Sequence, residues 1–245
     1  MGYDAPAAYA ELIAPRYAPI ADALVAAARP RQNDDVLELG AGTGLVTRRV
    51  SPHVRSLVAT DLAPGMLEVA RRSIRRNGGL SFVIVDYNAP LPFLDSSFDL
   101  VLSGLTYVQD TAAPLAEVLR VLKPNGRLAL AMWGPIYQEF RILADAVESI
   151  GRPRLPSPGP GRAVRRIERA GFRSVKRHDF NLTNEFESVD DYLTYRRGFG
   201  KPAGATHALY ERYLRAIHRR ASRDAPGDGP FTLGWNLTVI TARRA

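Results

Sequence analysis

The stretch Val36-Leu37-Glu38-Leu39-Gly40-Ala41-Gly42-Thr43-Gly44 decides the fold. Three apolar residues and an acid, then glycine at every second position, describe a buried strand. It breaks into a tight turn before a helix that starts at Leu45. This is the first strand of a doubly wound α/β sheet. Side chains in such a turn would hold a ligand away from the main chain, so glycine serves there. The N–H groups left unpaired at the helix start face whatever lies on the turn.

Other glycine-loop chemistries fit less well. Dinucleotide dehydrogenases need G-x-G-x-x-G/A, but Leu45 occupies the place of the last small residue and Gly44 comes one position early. No G-K-[ST] follows, so the turn is not a phosphate-cradling P-loop. A plain glycine-rich turn without a ligand is the remaining alternative, and the downstream acids weigh against it. Ser56–Thr60 reads as a second strand ending at Asp61, and Leu80–Asp86 as a third that also ends in an acid. With Glu38, three successive strands finish in carboxylates beside the turn. A lone Asp after a strand is more often a helix cap. Set across strand ends, a carboxylate can instead accept two hydrogen bonds from a ribose diol.

Residues 38–44, E-L-G-A-G-T-G, resemble motif I of the class I S-adenosylmethionine-dependent methyltransferases, and Asp61–Leu67 resembles the segment that follows it. Residues 91–101, L-P-F-L-D-S-S-F-D-L-V, resemble the signature of the UbiE/menaquinone-type small-molecule subgroup. Residues 115–126 match its L-x-E-x-x-R-V-L-K-P-N-G ending. The resemblance covers residues 34–134. It implies S-adenosylmethionine as cofactor and S-adenosylhomocysteine as product, held by Glu38, Gly40, Ala41, Gly42, Gly44 and Ser103. It also implies Asp61 on the ribose, Leu62 and Met66 against adenine, Asp86 accepting from the 6-amino group, and Tyr87 beside the ring. Subgroup members often carry a histidine in the loop after strand four; here Thr106 and Tyr107 stand in its place. Tyr107 is the candidate catalytic residue, orienting an acceptor hydroxyl or walling the pocket. Asp99, inside the buried run of strand four (Phe98–Ser103), is expected to be structural.

The expected architecture is α/β: a doubly wound, seven-stranded, mostly parallel sheet with a helical cap, Rossmann-like, in a single domain over residues 1–245. Residues 1–30 form lid helices broken at Pro15 and Pro19, because an interior proline costs about 3 kcal/mol. Tyr9, Arg16 and Tyr17 are candidates there to meet cofactor or substrate. The core at 34–134 contains helices 45–51, 64–77 and 112–122 and a fifth strand, Arg127–Trp133, after the turn Asn125-Gly126. Residues 135–230 carry cap elements: a helix at 137–150, a loop at 151–162, a sixth strand at 172–181, and helices Val189–Arg197 and Thr206–Arg223. Residues 231–245 hold the last strand, Leu233–Thr241. Trp133, Tyr137, Tyr195, Phe199 and Trp235 are read as pocket walls or as plain core.

Composition narrows the function classes. The net charge of +8 raises the possibility of a nucleic-acid partner. The arginines, however, lie opposite apolar stripes on helices, as solvated faces do, and no N-P-P-Y-type motif follows strand four. No apolar run approaches the roughly 18–20 residues needed to span a bilayer. There is no cysteine, and the histidines show no metal-ligand spacing. Met1–Pro6 lacks the layout of a secretory signal. The chain is therefore read as a cytoplasmic enzyme, monomer or homodimer, acting on an O, N or C atom of a small-molecule, perhaps secondary, metabolite. The alternatives are a cofactor-binding protein of this fold that catalyses a non-methylating step such as cyclisation, or an RNA or protein methyltransferase.

Overall fold

The computed structural model describes residues 6–75, 78–106, 108, 111–134, 138–152, 159–201, 204–225, 227 and 229–245. Seven strands are present: β1 (Asp35–Leu39), β2 (Ser56–Asp61), β3 (Leu80–Ile84), β4 (Phe98–Gly104), β5 (Leu122–Trp133), β6 (Phe172–Phe186) and β7 (Phe231–Arg244). The helices are α1 (Pro6–Ala8), α2 (Ala18–Ala28), α3 (Thr47–Val50), α4 (Pro64–Ser73), α5 (Ala112–Val121), α6 (Gln138–Ser149), α7 (Pro160–Arg169), α8 (Val189–Arg197) and α9 (His207–Asp224). The sheet order is β3-β2-β1-β4-β5-β7-β6. Pairing is parallel from β3 through β5, and β7 runs antiparallel to β5, with Leu130 opposite Ile240. The order reverses direction between β1 and β4. In open α/β sheets the crevice at the carboxyl ends of such strands is where ligands bind.

The chain groups into two compact units. The larger comprises Tyr17–Trp133, Pro158–Phe180 and Leu237–Ala245. Strands β1 and β4 are buried on both faces, so they read as apolar runs. Leu37, Leu39, Val101, Leu128, Leu130 and Ile240 pack with Val118 and Val121 of α5 and Ile167 of α7 in one cluster. Pro19 sits in the first turn of α2, where its missing N–H costs nothing. As expected, the prolines break the N-terminal helical pattern: a π-helical turn at Tyr9–Ile13 and a 3₁₀ turn at Ala14–Tyr17 precede α2.

The signature segment proves to be a fastening device. Arg120 donates to the carbonyls of Leu91 and Phe93 at 2.9 and 2.8 Å and to Asp95 at 2.7 Å, while Glu117 accepts from the Leu91 N–H at 2.7 Å. Asn125, at φ +61°, lies where β5 bulges against β4: Phe98 faces Leu122, but Leu100 faces Arg127. The expected turn is therefore a bulge inside a longer strand. It presents Lys123 to Asp35 and Asp99 at 3.0 and 2.7 Å. Asp99 also accepts from the Asp35 N–H at 2.9 Å, the structural role expected of it. The Arg55 guanidinium beside Asp35 holds that carboxyl well below the usual range.

The smaller unit comprises Met1–Arg16, Gly134–Ser157 and Asn181–Asn236. Phe186, Tyr192, Tyr195, Phe231 and Trp235 are buried in it. Tyr195 and Trp235, read as pocket walls or core, are core. Within this aromatic set Glu139 accepts from Arg196 at 3.1 Å and from the Tyr192 hydroxyl at 3.3 Å. Burial pushes the Glu139 carboxyl up, and the Arg196 charge opposes the push. A cavity of about 300 Å³ between α6 and α9 is lined by Asp145, Ser149 and three arginines. Arg220 there is already neutralised by Asp145 and Asp224. Among the described residues no helix is long and apolar enough to cross a membrane.

Candidate functional site

The glycine turn is built at the end of β1. Gly40, Gly42 and Gly44 all have positive φ, at +74°, +55° and +83°. This left-handed region is nearly free to glycine alone. The Ala41 N–H donates to the Thr60 carbonyl at 2.8 Å and the Gly44 N–H to the Ala41 carbonyl at 2.9 Å. The turn continues through residue 46, so α3 begins at Thr47 rather than at Leu45. The three glycines have different neighbours. A Cβ on Gly44 would lie 2.5 Å from Ile74 Cδ1 and 3.1 Å from Ala70 Cβ, and one on Gly40 would fall on Thr106 Cγ2. A Cβ on Gly42 would meet nothing within 4 Å. Two of the glycines are thus also required by packing inside the protein, whereas Gly42 opens outward. Thr43, 2% exposed, has a buried hydroxyl with no hydrogen-bond partner.

The acids take three different environments. Asp61 is oriented by two main-chain donors: Gly42 N–H to Oδ2 at 2.8 Å and Ala63 N–H to Oδ1 at 2.9 Å. Glu38 is 2% exposed and accepts from Thr47 Oγ1 at 2.6 Å. Burial pushes its carboxyl up to about 7, the Thr47 hydrogen bond opposing and the nearby Asp61 charge reinforcing the shift. Asp86 is exposed beyond the end of β3, where Oδ1 accepts from the Asn88 N–H at 2.9 Å. The Val85 N–H donates to the Asp61 carbonyl at 3.1 Å, the last bond of the β2–β3 pairing. Asp86 follows two residues after Ile84, the partner of Asp61 in the sheet.

The remaining expected residues are distributed as follows. Leu62 is 60% exposed, free to cover a flat apolar ring, whereas Met66 is 2% exposed, beside the buried Leu67 and Ala70. Tyr87 is half-buried and Ala41 is buried. Ser103 Oγ donates to the Leu39 carbonyl at 3.0 Å and pairs with Thr106 Oγ1. Tyr107 and Tyr137 lie outside the described residues. Arg16 is committed within the smaller unit. It donates from Nη2 to both carboxylate oxygens of Asp191 at 2.9 and 3.1 Å, donates to Asn184 and the Glu185 carbonyl, and lies 4.4 Å over the Phe186 ring. Three side chains of the site, those of Thr43, Thr47 and Thr106, were not singled out for it from sequence. Thr47 has one legible signal, since a buried acid needs a donor within the next turn of chain. Thr106 is defined by its hydroxyl pair with Ser103 and by its methyl in the space beside Gly40.

Residues 37–130 match the family described as methyltransferase domain. The matched segment is a methyltransferase domain. A curated relative, the demethylmenaquinone methyltransferase of Clavibacter sepedonicus, is 40% identical over 106 residues, covering 42% of this chain and 43% of that protein. The chain spans less than half the length of the demethylmenaquinone methyltransferases it matches. Among solved structures, a methyltransferase of Bacillus halodurans superposes with a TM-score of 0.65 at 22% identity, covering 91% of this chain and 98% of that one. The [4+2]-cyclase SpnF superposes at 0.59 with 16% identity, covering 93% and 81%. At these identities the structural likeness establishes the fold. That fold serves more than one reaction.

Proposed function

We propose that the methyltransferase domain binds S-adenosylmethionine and that the whole protein transfers its methyl group to an O, N or C atom of a small organic molecule. The carrying observation is the Asp61 carboxylate held by the Gly42 N–H at 2.8 Å, beside a glycine whose missing side chain leaves open space. The residues fit the cofactor on their own chemistry. Each Asp61 oxygen accepts one main-chain bond, and a carboxylate has about four lone-pair sites, so two remain for a ribose diol. The unpartnered Thr43 hydroxyl and the exposed Leu62 and Asp86 add a polar and an apolar contact and an acceptor for an amino group.

When bound, the cofactor supplies an electrophilic methyl on a good leaving group, so positioning and exclusion of water can provide most of the rate. The chain's contribution is a rigid turn, two carboxylates fixed by main-chain donors, and a post-β4 loop without a histidine. Tyr107 orients the acceptor or walls it off in this reading. Segments 1–30 and 135–230 carry acceptor specificity, in keeping with their aromatic content.

Titration calorimetry with S-adenosylhomocysteine tests the reading. Wild type should bind, and Asp61→Ala should weaken binding by about 1–3 kcal/mol, the worth of charge-assisted hydrogen bonds. Unchanged affinity would refute the ribose assignment. Release of S-adenosylhomocysteine with the true acceptor separates methyl transfer from a cyclisation on the same fold.

A further inference from the structure

The post-β4 loop is fastened to the glycine turn by an arrangement that the cofactor reading does not use. Leu105, a non-glycine residue, sits at φ +54°, which a side chain adopts only where its surroundings impose it. Its N–H donates to the Ala131 carbonyl at 2.9 Å. Ser103 has one hydroxyl proton, and that proton goes to the Leu39 carbonyl at 3.0 Å. In the Ser103–Thr106 pair the donor is therefore Thr106 Oγ1. The Thr106 methyl, Cγ2, occupies the space where a side chain of Gly40 would project. One threonine thus touches both ends of the link, its hydroxyl on β4 and its methyl on the turn.

We propose that Thr106 is a positioning residue that couples the cofactor-holding turn to the end of β4, so that cofactor binding steadies residues 103–106. The role rests on the reading above, that the turn holds S-adenosylmethionine. It gives Gly40 a purpose distinct from that of Gly42: Gly40 is bare to admit Thr106, and Gly42 is bare toward the ligand.

A double-mutant cycle on S-adenosylhomocysteine affinity tests the contact. In Gly40→Ala the new methyl collides with Thr106 Cγ2. Adding Thr106→Ser removes that atom, leaving Thr106 Cβ 3.6 Å away. Gly40→Ala should bind at least about tenfold more weakly than wild type, and the double variant should recover about tenfold, since contacting residues couple on this scale. Additive effects within twofold would overturn the proposal. If Gly40→Ala does not fold, folding of the double variant supports it. If neither folds, Thr106→Val decides. That variant keeps a methyl against Gly40 and loses the hydroxyl. In wild type, S-adenosylhomocysteine should slow amide exchange over residues 103–106, and in Thr106→Val that protection should vanish while affinity stays within about threefold. Retained protection would overturn the coupling. Failure of wild type to bind S-adenosylhomocysteine at all would instead refute the cofactor reading.

Discussion

Replacing Glu38 by Gln removes a buried carboxylate from β1 while keeping an oxygen to accept from Thr47 Oγ1. In the folded protein, burial raises this carboxyl from 4.5 to about 7, against the Thr47 hydrogen bond and with help from the Asp61 charge. In the unfolded chain the group returns to its ordinary value. Between the two values the folded state keeps a proton that the unfolded state has lost. Stability from this group is therefore complete below pH 4.5 and is lost as the pH rises through about 7. The interval corresponds to roughly 3 kcal/mol, a large share of a domain's net stability. Urea unfolding of wild type and Glu38→Gln across this pH range measures it, because the other titrating groups cancel in the difference. The wild type should lose roughly 3 kcal/mol relative to the variant between the acid and neutral ends. Parallel stability curves would show that Glu38 ionises normally in its buried position, and the reasoning would fail.

The glycines of the turn should separate stability from binding. Gly44→Ala carries a backbone cost at φ +83° and also drives a methyl into Ala70 and Ile74, so it should cost about 2–4 kcal/mol in urea unfolding. Gly42→Ala meets no neighbour, so it should cost about 1 kcal/mol for its φ alone yet bind S-adenosylhomocysteine at least about tenfold more weakly. Equal losses of stability in the two variants would refute the distinction. Arg120→Leu releases the segment from Leu91 to Asp95 and should lower stability by about 2 kcal/mol, with earlier proteolysis there and unchanged cofactor affinity. An unmoved unfolding midpoint would show the fastening to be ornamental.

The sheet was legible because β1, β2 and β4 are apolar runs punctuated by glycine, proline and acids. Where boundaries differ, a tertiary contact decided. The helix read as 64–77 stops at Ser73, and Ile74 turns extended, with its Cδ1 against the bare face of Gly44. Strands β6 and β7 run on to Phe186 and Arg244, beyond the expected stretches 172–181 and Leu233–Thr241. Asp61 and its place beside the turn followed from order along the chain. The aim of its carboxylate did not, since it depends on the N–H groups of Gly42 and Ala63. Arg16, a candidate to meet a ligand, is held instead by Asp191, 175 residues away, a pairing no local pattern announces. The two-unit grouping was hidden for the same reason, each unit being assembled from three separate pieces of chain.

The quartet of Arg55, Asp35, Lys123 and Asp99 closes its charges on itself where β1 and β4 begin. The glycine turn and Asp61 stand where β1 and β2 finish. The ion network and the candidate site thereby lie at opposite ends of β1, and partly exposed ion networks gain in value as temperature rises. Substitutions in the quartet therefore act at the end of β1 away from the candidate site.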